Sequence, residues 1–140
     1  MTPNSSAIMT QFVAWGFFAF AVIWGLAPYG PVSAPSILLL DILDWPFGDR
    51  ETLTRDVMWL SSVGAGLTMA IAIMLLGIVV PALRAGNKEV VRVTKWALVA
   101  WFAIDGLGSY VSGVGSNTLV SFVMFIATMV PLVLVRFEDS

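Results

Sequence analysis

The chain has 140 residues, 59% of them hydrophobic and 11% charged, with a net charge of −2. It contains neither cysteine nor histidine, which excludes disulfides, thiol chemistry and zinc clusters and removes the usual haem ligand and general base. The charges cluster between long uncharged runs, the pattern of a polytopic membrane protein, and no basic patch is offered to nucleic acid.

The opening Met1-Thr2-Pro3-Asn4-Ser5-Ser6 carries no Lys or Arg. Val32-Ser33-Ala34 has the small-residue form of a cleavage site, but without a basic n-region a retained helix is expected instead. That first span covers about 9–27 and is ended by Pro28-Tyr29-Gly30-Pro31, where donors and helical order are lost. The next apolar segment, about 35–44, is too short to cross a bilayer. Asp41 and Asp44 share one helical face in it, so a short periplasmic helix lying in the interface, acids toward water, is expected. Trp45-Pro46 stops it.

The second span is expected over about 57–80, ended by Pro81 and Gly86-Asn87. The third covers about 93–111, followed by a tight connection at Ser112-Gly113-Val114-Gly115-Ser116. The fourth covers about 117–135, with Pro131 near its end. The loop between spans two and three holds Arg84, Lys88, Arg92 and Lys95, whereas the segment between spans one and two sets Arg50 and Arg55 against Asp41, Asp44, Asp49, Glu51 and Asp56. The positive-inside rule then places both termini in the cytoplasm, in a bacterial inner membrane. The expected fold is all-α, one transmembrane domain of four helices over 1–140.

Asp105 lies inside the apolar run of the third span, and an ionisable group there is a functional-site hypothesis. Ser109 and Ser112 share its face. Arg55, Ser61, Ser62 and Asn117 are candidate partners at compatible depth. The polar cluster either fixes helix packing or handles a proton or cation. Ser62, Gly66 and Ala70 recur at four-residue spacing on the second span. Together with Gly106, Gly108 and Gly113 they are candidate close-packing positions. A polar stripe of Asn117, Ser121 and Thr128 on the fourth span carries little information, because Ser and Thr can bond their own helix.

Six Trp and nine Phe are many for this length. Trp45, Trp59 and Trp96 fall near expected interfaces, while Trp15, Trp24 and Trp101 lie deeper and are candidate contacts for a lipid, quinone or carotenoid. No phosphate loop, Ser–His pair or metal-ligand cluster is present, so no catalytic role is expected. The cytoplasmic loop from Arg84 to Arg92 offers contacts to anionic headgroups.

The stretch Trp101-Phe102-Ala103-Ile104-Asp105-Gly106-Leu107-Gly108-Ser109-Tyr110-Val111-Ser112-Gly113, with Asn117 and Pro131-Leu132, resembles the C-terminal half of a group of small bacterial membrane proteins of unknown function. Leu40-Asp41-Ile42-Leu43-Asp44-Trp45-Pro46 and Leu60-Ser61-Ser62-Val63-Gly64-Ala65-Gly66-Leu67 fit the same group. The resemblance covers most of the chain from about Pro31 onward. It implies a four-span fold with Asp105, Gly108, Ser109, Ser112, Gly113 and Asn117 as a shared core, and it implies no activity.

The first functional expectation is an accessory subunit packed against lipids and other integral membrane subunits of a larger complex, respiratory or photosynthetic, or against its own copies. The alternatives are a small oligomeric transporter using Asp105, or a protein holding a lipid, quinone or carotenoid non-covalently.

Overall fold

The computed structural model describes residues 1–47 and 52–137, in which every regular element is helical. Helix α1 runs Pro3–Gly25, a 3-10 turn covers Gly30–Val32, and α2 runs Ala34–Leu43. Helices α3, α4 and α5 follow at Arg55–Arg84, Lys88–Val111 and Gly115–Leu134. Three of them, α1, α3 and α5, are long and apolar enough to cross a membrane. The 24 residues of α4 give it the length, but Lys95 and Asp105 dilute its apolar run.

Caps explain why the helices begin earlier than apolarity alone suggests. Thr2 accepts from the Ser5 N–H at 3.2 Å, with Pro3 in the first helical turn, so α1 starts well before the expected 9. Asn87 accepts from the Val90 N–H at 3.1 Å, which starts α4 at Lys88 and not at 93. Each cap satisfies a donor that the first turn leaves orphaned. Glu89 and Arg92 then pair at 2.6 Å across that turn.

Pro81 does not end α3. The helix continues to Arg84, after widening into a π turn over Leu75–Val79 in which the Val80 N–H reaches back to the Leu75 carbonyl. Proline has no N–H to give the carbonyl four residues back and its ring crowds that carbonyl. The wider turn supplies the room.

Two glycines make the hairpins. Gly86 and Gly113 have φ of +70° and +80°, conformations that a Cβ resists. Past Gly86, the Asn87 N–H bonds the Ala82 carbonyl at 2.9 Å; past Gly113, the Val114 N–H bonds the Ser109 carbonyl at 2.9 Å. Both are Schellman closures that send the chain back antiparallel.

The helices form a ring that is closed at one end only. α3 packs on α1, α1 on α5, and α5 on α4, while α4 returns to α3 through the Leu75–Arg84 part alone. Among the described residues, no Cα of Arg55–Met74 comes within 8 Å of one in Lys88–Val111. The first residue and the stretch after α5 meet at the closed end, where the Met1 nitrogen donates to the Leu134 carbonyl at 2.7 Å and the Arg136 N–H to the Met1 carbonyl at 3.0 Å. Across the open end lies α2. Ser36 Oγ donates to the Ile23 carbonyl at the end of α1, and Ser116 Oγ, at the start of α5, donates to the Leu43 carbonyl at the end of α2.

Along α1 the buried face is made mostly of small side chains, with Phe17 the large exception. Ser6, Ala7, Thr10, Ala14, Phe17 and Ala21 form the buried stripe of α1, and Ala7 and Ala14 of it belong to one core cluster with Leu75, Val79, Leu83, Leu98 and Leu132. Phe12, Ile104 and Val111 are at least three-quarters exposed, at 75%, 79% and 85%. This is the arrangement expected where the surroundings are as apolar as the core and close backbone approach drives packing.

The close-packing stripe of α3 is not the expected one. Ser62, Gly66 and Ala70 are exposed, and a Cβ on Gly66 would meet nothing within 4 Å. The buried residues are Ser61, Ala65 and Ala72, one step earlier at the start of the stripe, which turns the face by about 100°. Gly64 sets this rotation, since a Cβ there would fall 2.3 Å from the Trp24 ring. Of the other expected packing glycines, Gly106 is buried beside the Phe102 ring, while Gly108 faces open space.

On α2 the expected polarity is also altered. Asp41 and Asp44 are half-buried, and Leu38 and Ile42 are exposed. Trp45, Trp59 and Trp96 are exposed, Trp45 just past α2, Trp59 in the second turn of α3 and Trp96 more than two turns into α4.

Candidate functional site

Where α3 and α4 part, a seam opens into the bundle. Its cavity measures about 620 Å³. Gly64, Leu67, Thr68 and Ile71 form the α3 wall, and Trp101, Ile104, Asp105, Gly108, Ser109 and Ser112 the α4 wall. Trp24 from α1 and Asn117 from α5 line it as well. Toward the closed end a smaller cavity of about 150 Å³ shares Ile71 and Trp101, and its further lining is almost wholly apolar, including Leu75, Val79, Val93, Ala97 and Leu98. The polar groups of the seam are therefore confined to the larger cavity, where they stand among apolar walls, and the smaller one is almost wholly apolar.

The polar groups are held by a register about Gly113. Ser109 and Asn117 each stand four residues from it, Asp105 and Ser121 each eight. In an antiparallel hairpin such pairs face each other. Asn117 Nδ2 donates to Ser109 Oγ at 2.6 Å, and Ser121 Oγ donates to Asp105 Oδ2. Thr118 Oγ1 donates to the Gly106 carbonyl at 3.2 Å. Phe102 stacks on Phe125 further along, with ring centres 5.0 Å apart. These contacts lash α4 to α5, and Asp105, Ser109 and Asn117 among them also line the seam.

Asp105, Ser109, Ser112 and Asn117 thus line one cavity. The remaining candidates of the polar cluster lie elsewhere: Arg55 is exposed at the start of α3, Ser61 is buried on that helix, and Ser62 is exposed with its hydroxyl on the Met58 carbonyl at 3.0 Å. The carboxylate's hydroxyl partner is Ser121, which is only 3% exposed. Its signal in the sequence was the mirrored spacing about Gly113, not its membership of a polar stripe. Thr128 of that stripe bonds its own helix, at the Met124 carbonyl, 2.8 Å away.

Two of the three deep tryptophans reach the seam. Trp101 is steadied by Phe17, with ring centres 6.1 Å apart, and Trp24 by Phe20 at 5.7 Å. The Trp24 Nε1 is buried and has no acceptor among the described residues. Trp15 is half exposed and packs edge-on against Phe18 at 5.3 Å, away from the seam.

Chemically the seam offers hydrogen bonds and apolar contact. Ser109, while accepting from Asn117, keeps its own proton to donate; the second carboxyl oxygen of Asp105 and the Asn117 carbonyl can accept. Among the described residues no group of three or more His, Cys, Asp or Glu is placed to hold a metal ion. Comparison with protein-family models, with curated proteins and with solved structures returned no match.

Proposed function

We propose that this protein is a four-span inner-membrane protein that holds a membrane-soluble amphiphile in the seam between α3 and α4. The observation that carries the reading is the uneven polarity of the seam: Asp105, Ser109, Ser112 and Asn117 stand among the apolar walls of the larger cavity, and the smaller one beside it is almost wholly apolar. A cleft that opens sideways on hydrocarbon does not stay empty, because its lining would forgo dispersion contacts. An occupant with a hydrogen-bonding head and a slender apolar body matches both cavities. Isoprenoid quinones, isoprenoid alcohols and single-chain lipids have that form.

In this reading α4 also crosses the membrane, as the third span in chain order. Its acid faces the seam, and Lys95 sits near its other end, within reach of the interface by snorkelling. The excess of basic residues between α3 and α4 supports an orientation with the closed end and both termini in the cytoplasm and α2 on the periplasmic side.

The accessory-subunit reading has its own support. The exposed stripe of Ser62, Gly66 and Ala70 leaves room for another helix on the outer face of α3. It is compatible with an occupied seam, because it uses a different face. Transport through the bundle draws less support, since beyond Asp105 the seam walls include Leu75, Val79, Ala97 and Leu98 and one hydroxyl, that of Thr94, which donates to its own helix at the Val90 carbonyl, so an ion meets few polar steps.

Solvent extraction of the purified protein, followed by mass analysis, tests the proposal. One amphiphile with a hydroxyl or carbonyl head should be recovered near one per chain. Recovery of bulk phospholipids alone, in bilayer proportions, would overturn it.

A further inference from the structure

We infer that the cleft at the closed end is a binding site for the phosphate of an anionic phospholipid. The inference depends on the membrane orientation proposed above and not on what fills the seam. The cleft measures about 900 Å³. Arg84 enters it from the end of α3, Lys88 from the start of α4, and Arg136 from beyond α5. Three cations from three separate stretches of chain converge on one hollow.

The frame beneath them is fixed by backbone bonds. Arg136 is pinned through its N–H to the Met1 carbonyl at 3.0 Å, and the turn between Arg84 and Lys88 is set by the positive φ of Gly86 and by the Asn87–Ala82 bond of 2.9 Å. Arg84 is steadied by Gln11 Oε1 at 3.3 Å. A guanidinium so placed keeps further N–H groups for the paired oxygens of a phosphodiester. The acid in the first turn of α4, Glu89, is engaged with Arg92.

A lipid is favoured over a soluble phosphate by what borders the cleft. Val133 and Leu134, just before Arg136, are exposed, so the cations stand where apolar helix surface ends. Headgroup phosphates lie at that depth, with their acyl chains alongside such residues. Arg92 and Lys95 line a different, smaller hollow beside Trp96, which supplies a charge-matched control.

The test uses the full chain in nanodiscs of phosphatidylcholine containing increasing phosphatidylglycerol, with bound lipid read by native mass spectrometry after transfer to mild detergent. Wild type should retain phosphatidylglycerol selectively. The double variant Arg84→Gln/Arg136→Gln should lose about thirtyfold in apparent affinity, at roughly fivefold per cation, and Arg92→Gln/Lys95→Gln should lose far less. Arg84→Lys, which keeps the charge, should retain most of the binding and shows that the site survives a change at Arg84. Equal losses in the two double variants, or equal retention of phosphatidylcholine, would overturn the site. Displacement of the lipid by millimolar inorganic phosphate would overturn its assignment to a membrane lipid.

Discussion

Ser121 on α5 donates its hydroxyl to Asp105 on α4, across a hairpin centred on Gly113. The bond places a carboxyl in the wall of a cleft and ties that wall to its neighbouring helix. A two-fold role follows: Asp105 is structural through one oxygen and open to the seam through the other.

Ser121→Ala should therefore destabilise the protein in mild detergent, and a double-mutant cycle with Asp105→Ala should give a coupling of about 1 kcal/mol, in the range measured between membrane helices. Unfolding in graded denaturing detergent reads it. Additive effects of the two substitutions would mean that the bond contributes nothing.

Gly64→Ala should cost about 1–3 kcal/mol, since the new methyl would meet the Trp24 ring and shift it. Gly66→Ala, two residues on, should be neutral or stabilising by up to about 1 kcal/mol, because nothing faces it and Ala favours helix. Shrinking the ring by Trp24→Leu should relieve the Gly64→Ala defect in the double variant. Thermal unfolding of the four proteins compares them directly.

Because the chain has no cysteine, single thiols report topology without background. Ala85→Cys and Val32→Cys are both exposed positions, at opposite ends of the bundle. In intact spheroplasts a membrane-impermeant maleimide should label Val32→Cys and should label Ala85→Cys only after permeabilisation. Labelling of both before permeabilisation would refute a four-span arrangement with cytoplasmic termini.

The helices were legible as apolar runs, but which side of each run turns inward was not. In a soluble helix the buried stripe is the apolar one. Here residues on both sides are apolar, and small size favours the inside without deciding it alone: Ala7, Ala14 and Ala21 are buried while Phe12, Trp15 and Val22 are exposed, yet Phe17 is buried too. The stripe of Ser62, Gly66 and Ala70 looked as suitable for packing as the one that includes Ser61 and Ala65. The Trp24 ring lying on Gly64 and the close approach of Gly25 to Ala65 belong to the face that is buried. Pro81 misled for a related reason, because a proline is expected to stop a helix and the π turn that absorbs it has no sequence signature of its own. The site was partly readable. Asp105, Ser109 and Ser112 follow from helical spacing, and Ser121 follows from reflecting the third span about the Gly113 turn. The opening of the seam was not readable, since it comes from how far α3 and α4 diverge beyond the π turn.

Gly108 gives the most direct test of the seam. It lines the cavity and a Cβ there would meet nothing within 4 Å, so Gly108→Leu should fill the seam without displacing a neighbour, while raising helix propensity by about 1 kcal/mol. Native mass spectrometry of wild type and Gly108→Leu, extracted in parallel, compares what each retains. An occupied seam predicts an amphiphile bound to wild type and lost from a variant that melts no lower. The same adduct at the same occupancy in both proteins would contradict it.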